Sequence, residues 1–272
     1  DFFGFIGPNG AGKSTTIRTL FNILFPTDGY AEIFGFDIVK DSKKIKEITG
    51  YVPSEINYYG EQTTGKFINY AASLKNCKND EKIGRLIKEL DIPVEKRIDE
   101  LSFGNRKKVA IVIALMGNPQ LLVLDEPANG LDPLIQNKLF DILMEENKKG
   151  LTVFLSSHNL TEVEKYCRRV AIIKEGKIAD VNDISYFLSN SKKVSVKGKL
   201  NLENIEDLKP DKITDAIYET KDPEHINSFS FLYSGDINVL LKTFSEFYIE
   251  DVTISEMALE DRFMSYYEKG KA

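Results

Sequence analysis

Short apolar runs alternate along the chain with longer stretches in which apolar residues recur every three or four positions. Phe2-Phe3-Gly4-Phe5-Ile6, Leu121-Leu122-Val123-Leu124 and Thr152-Val153-Phe154-Leu155-Ser156 are near-continuous runs. That is the pattern of strands covered on both faces, as in a parallel sheet. Thr49-Gly50-Tyr51-Val52-Pro53 reads as a strand ended by proline, and Tyr30 to Gly35 as a short strand closed by glycine. Between them, Ile17, Leu20, Phe21 and Leu24 share one face of a helix predicted over Thr16–Leu24. Ser42–Glu47 predicts a charged helical turn. Phe67, Tyr70, Ala71 and Leu74 mark one later helix face, and Ile83, Leu86, Ile87 and Leu90 another. Val109–Met116 is an apolar helix, and Leu134–Asn147 a helix after the turn Gly130-Leu131-Asp132-Pro133. Val170–Ile173 and Lys177–Ala179 form a hairpin around Glu175-Gly176. Alternating strands and helices predict an α/β domain with a mostly parallel sheet. The largely helical stretch from Glu55 to about Asn118 predicts a helical insertion between its strands.

Near residue 190 the pattern changes. Val194 and Val196 share a face of a strand over Ser191–Gly198, and Phe229, Phe231 and Tyr233 alternate along another. Leu202–Leu208 reads as a helix and Ala216–Thr220 as a strand. Asp236 caps a helix with Ile237, Leu240, Leu241 and Phe244 on one face. Val252 and Ile254 mark a last strand, and Met257–Lys269 a last helix. This order predicts a small ferredoxin-like α+β unit over 191–272. Its one histidine, His225, has no ligand neighbours and reads as solvated.

Candidate chemistry gathers at the ends of the apolar runs. Gly7-Pro8-Asn9-Gly10-Ala11-Gly12-Lys13-Ser14-Thr15 follows a predicted strand and precedes a predicted helix, which is the P-loop setting. Its glycines let backbone N–H groups turn inward around phosphate oxygens, and the helix N-terminus adds its positive dipole end. Lys13 then reaches the terminal phosphates and the Ser14 hydroxyl ligates Mg²⁺. Leu121–Leu124 delivers Asp125 and Glu126 to the carboxyl edge of the sheet, where open α/β sheets bind ligands. Asp125 suits a Mg²⁺-holding carboxylate, and Glu126 one that polarises an attacking water. Ser102 and Gly104 open a helix, either as an anion site or as a plain cap. His158, after the strand that ends at Ser156-Ser157, either bonds a γ-phosphate or caps the following helix.

Composition narrows this picture by exclusion. The net charge of −6 supplies no phosphate-binding surface for nucleic acid. No apolar run approaches the ~20 residues of a spanning helix, and no signal peptide is present. Cys77 and Cys167 lack ligand spacing and read as buried thiols of a reducing compartment. The chain opens without Met, almost directly into a core strand, so residues upstream are expected to be missing.

With these motifs in this order, residues 1–190 resemble the nucleotide-binding subunit of ABC transporters. The resemblance identifies Gly7–Thr15 as Walker A and Leu121–Asp125 as the Walker B strand. Glu126 is then the catalytic carboxylate, Leu101-Ser102-Phe103-Gly104-Asn105 the signature, Gly130-Leu131-Asp132 the D-loop and His158 the switch histidine. It implies a P-loop NTPase fold with a helical subdomain at about 55–118, and ATP and Mg²⁺ as cofactors. It also implies ATP hydrolysis, with Ser14 and Asp125 at the metal and Lys13, Glu126 and His158 at the reacting phosphate. Two such subunits, identical or different, face each other head to tail, so that Ser102, Gly104 and Asn105 meet the partner's nucleotide.

The family's Q-loop glutamine is replaced by Ser54, too short to reach Mg²⁺, and neighbouring Glu55 is the candidate substitute. The signature reads Ser-Phe-Gly-Asn where the family usually has Ser-Gly-Gly-Gln. The family's adenine-stacking aromatic lies upstream of Walker A, so none can be named here.

The resemblance implies a separate transmembrane permease, docked beside Glu55–Glu61 with Tyr58 and Tyr59, and a place at the cytoplasmic face of the membrane. The ending Ser255 to Phe263 resembles ATPases of ABC-2-class exporters, which points to export of a drug, peptide or lipid-like substrate. The alternatives are a soluble ABC-type ATPase and a nucleotide-dependent regulator without transport.

Overall fold

The computed structural model describes residues 1–77, 81–188, 192–199, 213–219 and 227–256, together with 259 and 263. The chain divides into two compact units, Asp1–Asp183 and Ile184–Ala272.

The first unit runs β1 (Phe2–Ile6), α1 (Lys13–Leu20), β2 (Glu32–Ile33), β3 (Phe36–Asp37), α2 (Ser42–Ile48), β4 (Thr49–Val52), α3 (Thr64–Leu74) and α4 (Glu81–Glu89). It continues through α5 (Phe103–Leu115), β5 (Leu121–Asp125), α6 (Pro133–Lys148), β6 (Thr152–Ser157), α7 (Leu160–Tyr166), β7 (Arg169–Lys174) and β8 (Lys177–Asp183). Six strands form one sheet in the order β4-β5-β6-β1-β7-β8. All neighbours are parallel except β7 and β8, which form the hairpin expected from the sequence. The continuous apolar runs are therefore the central strands, buried on both faces. In register, Phe5 of β1 and Asp125 of β5 both pair with Ser156 of β6. The strand ends before the P-loop, after Leu124 and before His158 thus lie along one edge. Ile17 and Phe21 seat α1 on Val123 of β5, with the Phe21 and Tyr51 rings stacked at 4.8 Å.

Three local expectations change. The helix after the P-loop ends at Leu20, because Asn22 turns into the left-handed region (φ 51°) and the Ile23 and Leu24 N–H groups close back onto Arg18 O. Leu24 is exposed instead of sharing the buried face. Tyr30–Gly35 is not a single strand: Phe34 and Gly35 carry positive φ and make a tight turn between β2 and β3. On α3 the inward stripe is Thr64, Ile68 and Ala72, while Tyr70 and Leu74 face solvent.

The second unit contains α8 (Ile184–Leu188), β9 (Lys192–Gly198), β10 (Ile213–Glu219), β11 (Asn227–Tyr233), α9 (Ile237–Phe244) and β12 (Ile249–Glu256). Its sheet order is β10-β11-β9-β12, antiparallel throughout. The first strand is thus central, between the third and the fourth, which is the ferredoxin-like arrangement. Val194, Val196, Phe229, Phe231 and Tyr233 pack with Leu240 and Phe244 of α9 into its core. Asp236 caps α9 by accepting from Asn238 N–H at 2.9 Å. The helix expected over 202–208, His225 and most of the helix expected over 257–269 lie outside the described residues. Both cysteines are free; Cys167 is buried, which pushes its thiol up to about 12, and Cys77 is half-buried.

Candidate functional site

The loop after β1 is shaped by what its residues lack. A side chain at Gly7 would lie 2.6 Å from Ile173 O of β7, so only glycine passes there. Gly10 and Gly12 take φ of 83° and 107°, conformations an L side chain resists. Gly12 stands at the N-cap of α1 with no side-chain cap, leaving first-turn N–H groups aimed into the loop. Lys13 is buried, and its ammonium curls over the loop to donate to Gly7 O at 2.7 Å and Pro8 O at 3.3 Å. The result is a concave ring of donors around a fixed positive charge.

At the end of β5, Asp125 is fully buried and neither carboxylate oxygen has a hydrogen-bond partner. A buried unpaired carboxylate is costly, by several kcal/mol on the scale of about 3–5 for breaking a buried pair. Its two oxygens and the half-buried Ser14 hydroxyl are the hard oxygen donors that Mg²⁺ prefers alongside phosphate and water. The donor set therefore fits that ion. Among the described residues no cluster of three or more His, Cys, Asp or Glu forms an all-protein metal cage.

Glu126 follows in the left-handed region, with φ 52°, and donates its N–H to Ser156 O at 3.0 Å. This kink aims its side chain back toward the P-loop. Oε1 lies 3.5 Å from Lys13 Nζ, and Oε2 lies 2.7 Å from His158 Nδ1. The structure thus brings Lys13, Glu126 and His158 together. The cap of α7, one of the two roles open to His158, falls to Asn159, which accepts from Thr161 and Glu162 N–H. Nearby, burial holds the Glu162 carboxyl above its ordinary range, against the hydrogen bonds from Ser157 and Asn159 that lower it.

The other expected residues sit apart. Ser102 is exposed and caps α5, accepting from Asn105 N–H at 3.4 Å. Asp132 is likewise exposed and caps α6, accepting from Ile135 N–H at 3.0 Å. The two caps rest on each other: a side chain at Gly130 would meet the Phe103 ring at 2.3 Å, and one at Gly104 would meet Gly130 O at 2.6 Å. The Phe103 ring fills the space beside Gly130. Among the described residues no hydrogen bond or ion pair joins Ser102, Gly104, Asn105 or Asp132 to Lys13, Asp125, Glu126 or His158.

Two features escaped the sequence reading. A cleft of about 500 Å³ flanks the P-loop, bounded by Gly12, Thr15, Thr19, Tyr30 and Ile38. Lys107, one of three successive basic residues, is fully buried and donates to Ser54 O and Glu126 O, each at 2.9 Å. Burial lowers its pKa to about 8, although the charges of Asp125 and Glu126 raise it. A sequence signal exists: Lys107 lies four residues before buried Ile111 on the same helical stripe.

Residues 1–129 match the protein family described as ABC transporter. The chain is 32% identical over 274 residues to the bacitracin transport ATP-binding protein BcrA of Bacillus licheniformis, covering 97% of this chain and 87% of that protein. It is 33% identical over 183 residues to the probable multidrug ABC transporter ATP-binding protein YbhF of Escherichia coli, covering 65% of this chain. It spans about a third of the length of YbhF, with 32% of that protein covered. Among solved structures, an ATP-binding subunit of an ABC transporter superposes with a TM-score of 0.63 at 28% identity, over 69% of this chain and 80% of the other.

Proposed function

This chain belongs to the family of ABC transporter ATP-binding proteins, and on that premise we propose that it hydrolyses MgATP to drive a separate membrane permease of the exporter type. The observation that carries the reading is the convergence at one sheet edge of Lys13, the unpartnered Asp125 and the Glu126–His158 pair.

The chemistry is positioning and charge stabilisation. N–H groups of the P-loop and the first turn of α1 cradle the phosphates. Lys13, already fixed by two carbonyls, turns its remaining donor capacity to the β- and γ-phosphate oxygens. Asp125 and Ser14 would hold Mg²⁺, which supplies charge neutralisation at the β- and γ-phosphates. Glu126 accepts a proton from the attacking water, and His158 holds both Glu126 and the γ-phosphate region. Ser102, Gly104 and Asn105, with Asp132, complete the site of a second subunit across a head-to-tail dimer, identical or not. Domain limits of 1–190 for the ATPase and 191–272 for the accessory unit are part of the same reading.

Export is supported by relatives named for bacitracin transport and multidrug transport. No described helix is long and apolar enough to cross a membrane. On the proposed reading the transported molecule passes through the separate permease. The present chain acts peripherally at the cytoplasmic face. The permease docks beside Glu55–Glu61, where Tyr58 packs on Phe67 at 4.9 Å while Tyr59 projects with 84% of its surface exposed. With its permease co-expressed, Tyr59→Ala lowers transport while basal hydrolysis stays within twofold; equal loss of both rejects the docking surface.

The central test is Glu126→Gln. Turnover is expected to fall by about 10²–10⁴, the scale of losing a general base, while ATP still binds and holds dimers together in sedimentation. Near-normal turnover in this variant removes Glu126 from the mechanism. ATP binding without hydrolysis in the unsubstituted chain favours a nucleotide-dependent regulator, the reading that Ser54 at the glutamine position would then explain.

A further inference from the structure

We infer that Lys107 is a positioning residue that ties the loop after β4 to the catalytic carboxylate, its ammonium spanning Ser54 O and Glu126 O so that a displacement of the loop is transmitted to Glu126. The inference rests on Glu126 being the general base.

A fully buried lysine is rare unless it is paired with an acid. Lys107 forms no ion pair within 4 Å among the described residues; two backbone carbonyls hold its charge, with the Phe103 ring 5.3 Å away. The charged groups facing it are Asp125 and Glu126 of β5 and the turn after it. An unbranched apolar side chain would fill the same slot without the desolvation cost of an ammonium. The lysine is therefore placed for its donors.

Those donors act on the one residue whose backbone matters most. Glu126 is held in a left-handed conformation, which is strained for a residue with a side chain and persists only where its surroundings over-determine it. Its N–H is pinned by Ser156 O, and its carbonyl is pinned by Lys107. With both ends fixed, the side chain has one aim, toward Lys13 and His158.

The other end of the link is the loop that follows β4. Ser54 is engaged there through its backbone carbonyl, so the short side chain is no handicap. One residue earlier on α5, Arg106 reaches the same loop, donating to Asn57 Oδ1 at 3.2 Å, and also holds Asp99 O at 3.1 Å. Two successive cations of α5 thus grip the segment 54–57, and the second of them also grips Glu126. The connection runs through two hydrogen bonds donated by one atom, Lys107 Nζ, with no side chain of the loop required.

The test compares Lys107→Met and Lys107→Gln with the parent chain, counting binding-competent molecules by titration with a fluorescent ATP analogue. Met keeps the apolar stem and removes the donors; Gln returns an N–H₂ group one bond shorter than the ammonium, within reach of the carbonyls after a small shift of the side chain. The expected result is a turnover at least tenfold lower in Lys107→Met per competent molecule, with nucleotide Kd within threefold of the parent. Lys107→Gln then recovers to within threefold of the parent. The inference is overturned if Lys107→Met turns over within twofold of the parent. It is equally overturned if nucleotide affinity falls by the same factor as turnover, or if Lys107→Gln stays as low as Lys107→Met. A parent chain that binds ATP without hydrolysing it fells the hydrolysis reading and this inference together; failure of the Lys107 variants beside an active parent fells this inference alone.

Discussion

Asp125 and Ser102 belong to the two faces between which a nucleotide is proposed to sit, and they are built in opposite ways. Asp125 is fully buried with both oxygens unpartnered, while the buried Lys13 bonds its own loop and pairs with Glu126. Ser102 is exposed and already satisfied, its hydroxyl spent on the N–H of Asn105. A buried polar group without a partner costs about 1–3 kcal/mol, more when charged. The face with Asp125 therefore carries a standing deficit, one that the proposed phosphate and Mg²⁺ would relieve. The Ser102 hydroxyl carries none, so it must give up its cap bond before it can contact a partner's nucleotide. On the proposed reading, binding belongs to the first face and assembly to the second.

The substitution expected to break this contrast most severely is Asp125→Asn. The amide keeps the shape and removes the uncompensated charge. Without nucleotide, the melting temperature is expected to stay level or rise. With MgATP, stabilisation is expected to vanish; in the parent it amounts to about 2.7 kcal/mol when ligand is at 100 times Kd. Turnover is expected to drop by about 10²-fold or more, the scale of losing one electrostatic stabiliser. Removing Mg²⁺ from the parent with EDTA is expected to reproduce the loss of MgATP stabilisation. Thermal unfolding with and without MgATP decides this, and full stabilisation of Asp125→Asn by MgATP would show that its oxygens are no ligand site.

The same contrast explains what could be read before any coordinates. Lys13, Asp125 and Glu126 were legible because apolar strands deliver them to one edge, and the strands announce themselves by continuous runs. The ferredoxin-like unit was legible from alternation at Val194–Val196 and Phe229–Tyr233. Helix faces were less so. On α3 two apolar stripes compete, and Tyr70 and Leu74 are bulkier than the Ile68 and Ala72 that pack inward. The end of α1 turned on the left-handed Asn22, a backbone event that apolar spacing does not encode. Lys107 was hidden by its own chemistry. Arg106-Lys107-Lys108 carries no role in the sequence reading, yet α5 is buried on most of its circumference, so both lysines go inside. The departures from the expected motif, Ser54 and Phe103, were visible as letters. Their consequences were not: one contributes a backbone carbonyl to Lys107, and the other a ring to Gly130.

Ser102→Ala sharpens the comparison with the smallest change. It removes the cap hydroxyl and nothing from the Walker face. Loss of a serine N-cap costs about 0.5–2 kcal/mol, so a modest fall in melting temperature is expected. Nucleotide affinity of the single chain is expected to stay within twofold, because no described hydrogen bond links Ser102 to Lys13, Asp125 or Glu126. If the hydroxyl exchanges its bond to Asn105 N–H for a phosphate oxygen of the partner subunit's nucleotide, ATP-dependent dimers weaken and turnover falls about tenfold, the value of one hydrogen bond of about 1.4 kcal/mol to a charged acceptor. Restoring the cap with Ser102→Asp separates the two roles. Aspartate caps a helix as well as serine does, so stability returns. Its charge repels phosphate, so dimers and turnover fall further than in Ser102→Ala. Sedimentation in MgATP and thermal unfolding of the three chains decide between them. A Ser102→Asp chain that recovers stability and dimers together would make Ser102 a cap and nothing more, and the signature face would owe its phosphate contact to backbone N–H groups of α5 alone.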